Sequence, residues 1–409
     1  MQSRLHRFYQ DYKYGLPFAV LFLTTLFLPT ASNRIVFYLL SPFLFYALYH
    51  FRPQIPAYLK TWSFAFLAVY LGYFGLSFLW SEEKSADDLC KLVREVACIG
   101  VFTLSFAVVL PNLRLPEKLP VYFGVLCLSW GALAALVFYG FSGNEWDARL
   151  TGFGRYENSI HFAFLLSFAI IALLCLGISK TSRTQNEAIL YTFLIAALLM
   201  LIALSQTRSA YMALAACIGI IFLLGHIRYA AVLGLCGVLG IACVYFMSDD
   251  YMALFAGRLD SYRFEIWRDA YQEILKKPWF GHGITTEPHF FLEANDPKRG
   301  WKSPHNVLLG HAHAGGAAGL LIFLGMAANM CRISVLQYLR DLSQKGRLDY
   351  MTLFTCLTIC YGMVASLVNF SNYVVGVHIH WLVFWVPFAL AWMLETKAGK
   401  ERENDAPAH

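Results

Sequence analysis

Apolar residues occur in about twelve long runs, most of them near the length that an α-helix needs to cross a bilayer. The runs do not alternate polar and apolar residues as transmembrane β-strands do. The pattern therefore predicts an all-α polytopic membrane protein with about twelve transmembrane helices. The runs cover residues 14–30, 34–51, 62–80, 92–111, 118–140, 159–179, 188–205, 209–226, 229–247, 306–331, 350–370 and 374–394.

One sizeable polar segment, residues 248–304, interrupts this pattern. It separates nine predicted helices in residues 1–247 from three in residues 305–396, and residues 397–409 form a polar tail. Within the segment, apolar residues recur every four positions, which predicts an amphipathic helix that lies along the membrane surface or covers a cavity. The repeat consists of Tyr262, Ile266, Ala270 and Ile274, and the predicted helix ends at Pro278 and a turn through Gly281 and Gly283.

The composition supports a membrane protein and excludes several other classes. Of the 409 residues, 58% are hydrophobic and 14% are charged, whereas soluble domains have about 25% charged residues. The net charge of +6 is not concentrated on one basic segment, so nucleic acid is not an expected partner. Membrane lipids are the expected surroundings.

Lysine and arginine positions predict the orientation. If the N-terminus is cytoplasmic, seventeen lysines and arginines lie in inner segments and seven in the short outer loops. The positive-inside rule therefore places both ends in the cytoplasm and residues 248–304 outside, in the periplasm of a Gram-negative bacterium. The expected location is the bacterial inner membrane.

Acidic residues and paired histidines do not predict a metal site or a cofactor. The carboxylates lie in loops or near the ends of the runs, which counts against an ion-coupled transporter. Asp87–Asp88 and Asp249–Asp250 are interpreted as solvated span ends. His311 and His313 resemble a metal-binding pair, but two positions along a helix separate their rings by about 200°.

Several candidate arginines and most of the histidines lie on the predicted outer side. Arg208 begins an apolar run, Arg263 lies on the amphipathic helix, and Arg149 and Arg155 precede the sixth run. Such arginines either anchor helices at the lipid headgroups or bind phosphate oxygens bidentately. Eight of the twelve histidines are also predicted to be outside, and histidine suits general acid–base catalysis near neutral pH. The pair His378 and His380 is interpreted as interfacial packing.

Three motifs occur in order within residues 200–325. They are Ser205-Gln206-Thr207-Arg208, then Arg263-Phe264-Glu265-Ile266-Trp267 leading to Pro278-Trp279-Phe280-Gly281-His282-Gly283, then His305-Asn306 followed by Gly316 and Gly319. Together they resemble the O-antigen ligase and polymerase family. One departure is that residues 310–314 lack the glutamate that many relatives have after the His-Asn pair.

The resemblance implies a GT-C-like membrane glycosyltransferase with its active site on the periplasmic face. Its donor would be an O-antigen glycan on undecaprenyl diphosphate and its acceptor the lipid A–core oligosaccharide. Arg208 and Arg263, with Arg155 as a third, are the expected diphosphate ligands. His305 is the expected general base, with His313 in reserve. Arginines can neutralise the leaving diphosphate, so no metal and no cofactor are expected.

Other functions stay open at this point. The same resemblance includes polymerases, which extend the glycan on its carrier lipid, and enzymes that glycosylate proteins. A single modest outer segment and about twelve spans favour a ligase. A lipid-linked glycan flippase is an alternative from a different class, but it needs a polar path through the membrane, whereas the candidate arginines and most of the histidines here lie at one face.

Overall fold

The computed structural model describes residues 13–82, 84–113, 115–146, 148–180, 184–246, 263–288, 290–291, 300–376 and 378–405. This part of the chain is predominantly helical and contains one short antiparallel strand pair. The helices are α1 (Leu16–Phe27), α2 (Thr30–His50), α3 (Ile55–Leu59), α4 (Trp62–Leu76), α5 (Ala86–Val109), α6 (Leu119–Ala135), α7 (Ser159–Ser179), α8 (Gln185–Leu204), α9 (Arg208–Leu223), α10 (Ile227–Phe246), α11 (Arg263–Lys276), α12 (Val307–Lys345), α13 (Tyr350–Ser366) and α14 (Val386–Asp405), and the strands are β1 (Phe290–Phe291) and β2 (Gly300–Trp301).

The predicted all-α polytopic membrane fold is confirmed. Among the described residues, seven helices are long and apolar enough to cross a membrane. Three shorter apolar helices accompany them, at Arg208–Leu223, Ile227–Leu239 and Tyr350–Ser366. A helix occupies each of the twelve predicted runs, although the count of twelve spans stays a prediction.

Polar side chains at the ends of the apolar runs begin several helices. The Thr61 hydroxyl accepts a hydrogen bond from the backbone N–H of Phe64 at 3.3 Å. Thr184 and Glu187 form a reciprocal capping box at the start of α8. Because the first backbone N–H groups of a helix lack partners within the helix, such side chains determine where the helix begins.

Two predicted spans differ in extent from the helices observed. The run 306–331 belongs to α12, which continues to Lys345 and is interrupted by non-helical backbone at Gly316. The last run, 374–394, becomes helical only at Ile379, and its helix continues through the predicted tail to Asp405. The ends of an apolar run mark a change in polarity, whereas a helix continues as long as its backbone hydrogen bonds do.

The chain divides into two compact units. The first comprises residues 1–40, 113–259 and 338–364, and the second comprises residues 41–112, 260–337 and 365–409. In the first unit α7 is buried along most of its length. In the second unit Trp385 and Trp392 are among the largest fully buried side chains. Arg155 and Arg208 belong to the first unit, whereas Arg263, His305 and His313 belong to the second.

Candidate active site

His305 lies immediately before the capped start of α12. The side-chain oxygen of Asn306 accepts hydrogen bonds from the backbone N–H groups of Leu308 at 2.9 Å and Leu309 at 3.2 Å. Asn306 therefore caps the helix, and the residue before it stands outside the helical turn. His305 has a φ of 47°, a left-handed conformation that non-glycine residues rarely adopt. The His-Asn motif thus places a half-buried imidazole directly before a helix cap.

Neighbouring polar groups hold the half-buried His305. Its backbone N–H donates to the Ser303 hydroxyl at 3.2 Å, and the Ser303 hydroxyl bonds in turn to that of Ser371. Its ring atom Nδ1 lies 3.4 Å from the backbone carbonyl oxygen of Asn369. A carbonyl can only accept, so this long hydrogen bond places the proton on Nδ1. In the neutral ring, Nε2 is then the basic nitrogen.

The surroundings of His305 favour the neutral imidazole. Burial lowers its pKa from the ordinary value, because a charged ring loses hydration there. The Asn369 carbonyl partly opposes this effect, and the positive charge of Arg263 lowers the pKa further. Because a general base must be unprotonated before it acts, a lowered pKa suits His305 to that role near neutral pH.

The amphipathic helix α11 packs against the start of α12. Ile266 and Ala270 are buried, and Trp267 and Leu309 pack around them. The Trp267 indole N–H donates to the backbone carbonyl of Pro304 at 3.0 Å. The structure thus has a helix where the sequence predicts one, although Tyr262 lies outside the described residues. Arg263 and Trp267 both lie on this helix, which packs against the segment that carries His305.

The turn after α11 occupies the interruption in α12. Gly316 has a φ of 61° and a ψ of −161°, so the helical hydrogen bonds break there. Backbone groups of the turn replace them, and the Tyr73 hydroxyl donates to the Gly315 carbonyl at 2.6 Å. Four backbone hydrogen bonds join the turn to α12. They run from Ala317 N to Pro278 O at 2.7 Å, from Ala318 N to Trp279 O at 3.2 Å, from His282 N to His313 O at 2.8 Å, and from Gly283 N to Ala314 O at 2.9 Å.

Two glycines permit this contact between backbones. A Cβ atom on Gly316 would overlap the Trp279 carbonyl group. A Cβ atom on Gly281 would lie 2.5 Å from the backbone nitrogen of Gly316. Both glycines also have a positive φ, which L side chains rarely adopt. The Pro-x-x-Gly-x-Gly motif is therefore explained by its docking into the interrupted helix.

His282 joins this turn to its neighbours, a role that its place in the motif does not indicate. Its Nδ1 lies 3.1 Å from a carboxylate oxygen of Glu82, and its Nε2 lies 2.9 Å from the Glu273 carbonyl oxygen. Lys277 bonds the same Glu82 oxygen at 2.6 Å. Lys277 and then His282 lower the pKa of Glu82 to about 2, so this carboxylate stays charged near neutral pH. The sequence could not predict this contact, because Glu82 and His282 lie 200 positions apart and no local pattern connects them.

The two histidines of the His-x-His pair contact different groups. His311 is buried, donates from Nδ1 to the Val307 carbonyl at 2.7 Å, and has Nε2 2.8 Å from the Tyr70 hydroxyl. His313 instead stacks on the ring of His282. The two rings therefore face different partners. Within the described parts of the chain, no cluster of three or more His, Cys, Asp or Glu side chains could hold a metal ion.

Of the two acidic pairs, only Asp87–Asp88 lies within the described residues. Asp88 accepts a hydrogen bond from the Ser85 hydroxyl at 2.6 Å, and its backbone N–H donates to the same hydroxyl at 3.1 Å. Asp87 and Asp88 thus lie in the capped first turn of α5, as expected for a solvated span end. Asp249 and Asp250 lie outside the described residues.

Arg208 is the first residue of α9, in the first compact unit. The Thr207 hydroxyl before it donates to the Ser159 carbonyl at 3.2 Å, which ties this motif to the start of α7. The Arg149 Nε–H donates to the Ser205 carbonyl at 3.3 Å. Arg149 and Arg208 thus both belong to the polar region where α9 begins. A helix N-terminus carries partial positive charge, which adds to that of the arginines in attracting anions.

Arg155 lies in the 3₁₀ turn Gly154–Glu157 of the first unit. Its side chain is outside the described part of the structure, so its role as a third diphosphate ligand stays a prediction. In the second unit, the structure brings Arg263 close enough to His305 for its charge to affect the imidazole. His378 and His380 stack with ring centroids 4.5 Å apart, which agrees with a packing role.

These helices and this polar cluster define a polytopic α-helical membrane protein with a candidate acid–base site at one end of α12. Residues 191–324 match the family model described as O-antigen ligase. The chain is also 28% identical over 382 residues to an O-antigen ligase of Pseudomonas aeruginosa, an alignment that covers 91% of this chain and 88% of the relative. Both matches confirm the resemblance to O-antigen ligases that the motifs predict. The matched region includes Arg208, Arg263, His305 and His313.

Proposed function

We propose that this protein is an O-antigen ligase that transfers a glycan from undecaprenyl diphosphate to the lipid A–core oligosaccharide. The reaction takes place on the periplasmic face of the bacterial inner membrane. The observation that carries this proposal is the environment of His305, a half-buried imidazole whose pKa is lowered by burial and by the charge of Arg263. Such a group accepts a proton from an acceptor hydroxyl near neutral pH.

The diphosphate is the leaving group, and its developing negative charge needs neutralisation. Arg208 and Arg263 supply that charge in this proposal, with Arg155 as a third ligand. A guanidinium presents paired N–H donors that match phosphate oxygens, so lysine is not an equivalent replacement. Fixed positive charges stabilise the leaving group without a divalent metal.

The acceptor hydroxyl attacks the anomeric carbon while His305 removes its proton. The bond between that carbon and the diphosphate oxygen breaks in the same displacement, so the configuration at the anomeric carbon inverts. The glycan leaves its carrier lipid and the diphosphate stays on the undecaprenyl chain. His313 is the reserve base, although its ring stacks on His282.

Reconstitution tests this proposal directly. Purified protein is placed in liposomes with undecaprenyl-diphosphate glycan and lipid A–core, and the product is followed by gel shift. General-base catalysis contributes about 10²–10⁴-fold, so His305→Ala should lose that much transfer and still bind donor. His50→Ala, an exposed histidine at the predicted inner end of α2, is the matched control and should retain the wild-type rate.

The arginines are tested in the same assay. Arg208→Ala and Arg263→Ala should abolish transfer, and the corresponding lysine variants should retain at most a small fraction. Arg268→Ala is the control, because Arg268 lies on α11 with a side chain that is 71% exposed. Wild-type rates for both alanine variants, at normal expression, would disprove the diphosphate assignment.

The product distinguishes the alternatives. A longer glycan that stays on undecaprenyl diphosphate would identify a polymerase, and a glycan that changes only its side of the membrane would identify a flippase. Excess EDTA should leave the rate unchanged. Loss of transfer in EDTA, with recovery on addition of magnesium or manganese, would contradict the metal-independent mechanism.

A further inference from the structure

The backbone of His305 is held in an unfavourable conformation. A left-handed φ at a non-glycine residue is unfavourable and persists only where surrounding contacts maintain it. Asn306 fixes the chain after His305 by capping α12, and Ser303 accepts the hydrogen bond from the His305 N–H. Both contacts come from residues within two positions of His305. The Asn369 carbonyl and the Ser371 hydroxyl, in the segment after α13, add contacts to the His305 ring and to Ser303.

Trp267 supplies the contact from another helix. Its indole N–H donates to the carbonyl oxygen of Pro304, the residue immediately before His305, at 3.0 Å. Pro304 is buried, so this carbonyl would lose a hydrogen-bond donor in a region with little access to water if the indole were absent. The helix that bears Trp267 is itself anchored by Ile266 and Ala270, which are buried in the same cluster as Leu309.

Trp267 also lies one helical turn after Arg263. Residues four apart lie on the same side of a helix, so α11 directs Arg263 and Trp267 toward the same region. The charge of Arg263 acts on the imidazole of His305, while the indole of Trp267 holds the peptide group before it. A single rigid helix thus presents the proposed diphosphate ligand and a support for the proposed base.

We propose that Trp267 is a positioning residue for His305, and that its indole N–H holds the imidazole where it can deprotonate the acceptor. This inference rests on the proposed function, in which His305 is the base. Trp267 itself contacts neither the reacting atoms nor the acceptor. The competing interpretation is that Trp267 only fills space between α11 and α12, in which case its N–H is dispensable for turnover.

Trp267→Phe tests the role because it keeps an aromatic ring and removes the N–H donor. A small displacement of a catalytic group can cost orders of magnitude in rate, so kcat should fall by about tenfold. The KM for the donor should change by less than about twofold, since Trp267 is not a donor ligand. Trp279→Phe is the control, because its side chain is 72% exposed and belongs to the turn that follows the same helix.

A double-mutant cycle separates positioning from packing. If Trp267 acts through His305, Trp267→Phe should cause no further loss in a His305→Ala background. If it acts through packing alone, the residual transfer of His305→Ala should fall again by a similar factor. If Trp267→Phe fails to fold, benzothienylalanine at position 267 replaces the N–H with sulfur at nearly constant shape and should lower kcat in the same way.

The outcomes distinguish this inference from the proposed function. Wild-type kcat for Trp267→Phe or for the benzothienylalanine protein, with His305→Ala inactive, would overturn the positioning role and leave His305 as the base. Equal losses caused by Trp267→Phe in both backgrounds would overturn it as well. Near-normal transfer by His305→Ala would instead refute the assignment of the base.

Discussion

The ring of His313 lies nearly parallel to the ring of His282, with centroids 4.7 Å apart and an angle of 16° between their planes. His282 is buried and bonds to Glu82 and to the Glu273 carbonyl, so the stack joins α12 to the end of α11. The backbones of the two histidines are also connected, because the His282 N–H donates to the His313 carbonyl at 2.8 Å. This arrangement gives the His313 ring a packing role, in which it stacks on His282.

The first prediction concerns His313 as the reserve base. His313→Phe preserves a flat ring for the stack and removes both nitrogens, so transfer should stay close to the wild-type rate. The measurement is the initial rate of lipopolysaccharide formation in liposomes, compared with His305→Ala in the same preparation. A loss of about 10²-fold or more in the folded His313→Phe protein would assign the base to His313.

The second prediction concerns the pH dependence of transfer. Only the neutral imidazole of His305 acts as a base, and burial, with a smaller contribution from Arg263, lowers its pKa below the ordinary value of about 6.5. The rate should therefore fall to half its plateau value only at a pH below that ordinary histidine pKa. Measurements of kcat/KM between pH 4.5 and 8, a range of about two units on either side of the ordinary histidine pKa, locate this acidic limb.

The Arg263→Gln variant provides the comparison for that profile. Removing the positive charge should raise the pKa of His305, so the titration of its imidazole, followed by NMR of the labelled histidine, should move to higher pH. Burial remains in this variant, and the titration midpoint should stay below that of an exposed histidine. The same titration midpoint in both proteins would contradict an electrostatic effect of Arg263 on His305.

The third prediction concerns the interruption in α12. Gly316→Ala introduces a Cβ atom that overlaps the Trp279 carbonyl group at a φ suited to glycine, and should destabilise the protein by about 3 kcal/mol or more. Thermal unfolding in detergent measures the effect. Gly72→Ala in α4 is the control, because a Cβ atom there meets nothing within 4 Å, and its melting temperature should not fall. Equal melting temperatures for the two variants would contradict the docking of the turn at Gly316.

The fourth prediction concerns orientation. Lys302, whose side chain is 69% exposed, lies in the predicted periplasmic segment, and exposed Lys397 begins the predicted cytoplasmic tail. In a Cys90→Ser background, Lys302→Cys should react with an impermeant thiol reagent in intact cells. Lys397→Cys should react only after the inner membrane is permeabilised. The reverse pattern would invert the topology and move His305 to the cytoplasmic side.

Local sequence patterns are sufficient for much of the architecture. Apolar runs predict the membrane helices because a helix surrounded by lipid or by other apolar helices needs apolar side chains on all sides. The periodicity of Ile266, Ala270 and Ile274 predicts α11, because one face of this helix is buried. The polarity of a residue and its spacing from the next are properties of a single segment, so they can be read along the sequence.

Contacts between distant segments determine the geometry of the candidate site. The sequence singles out Gly281, Gly283 and Gly316, but only the structure shows that the turn replaces the missing hydrogen bonds of α12. Likewise, His305 can be selected for its chemistry and its position, whereas its left-handed conformation and its support by Trp267 depend on how α11 packs against α12. The sequence by itself therefore determined the helices, their amphipathic faces and the candidate residues. The tertiary structure decided which backbone groups meet, because that depends on the simultaneous packing of segments whose separation along the chain carries no information about their distance in space.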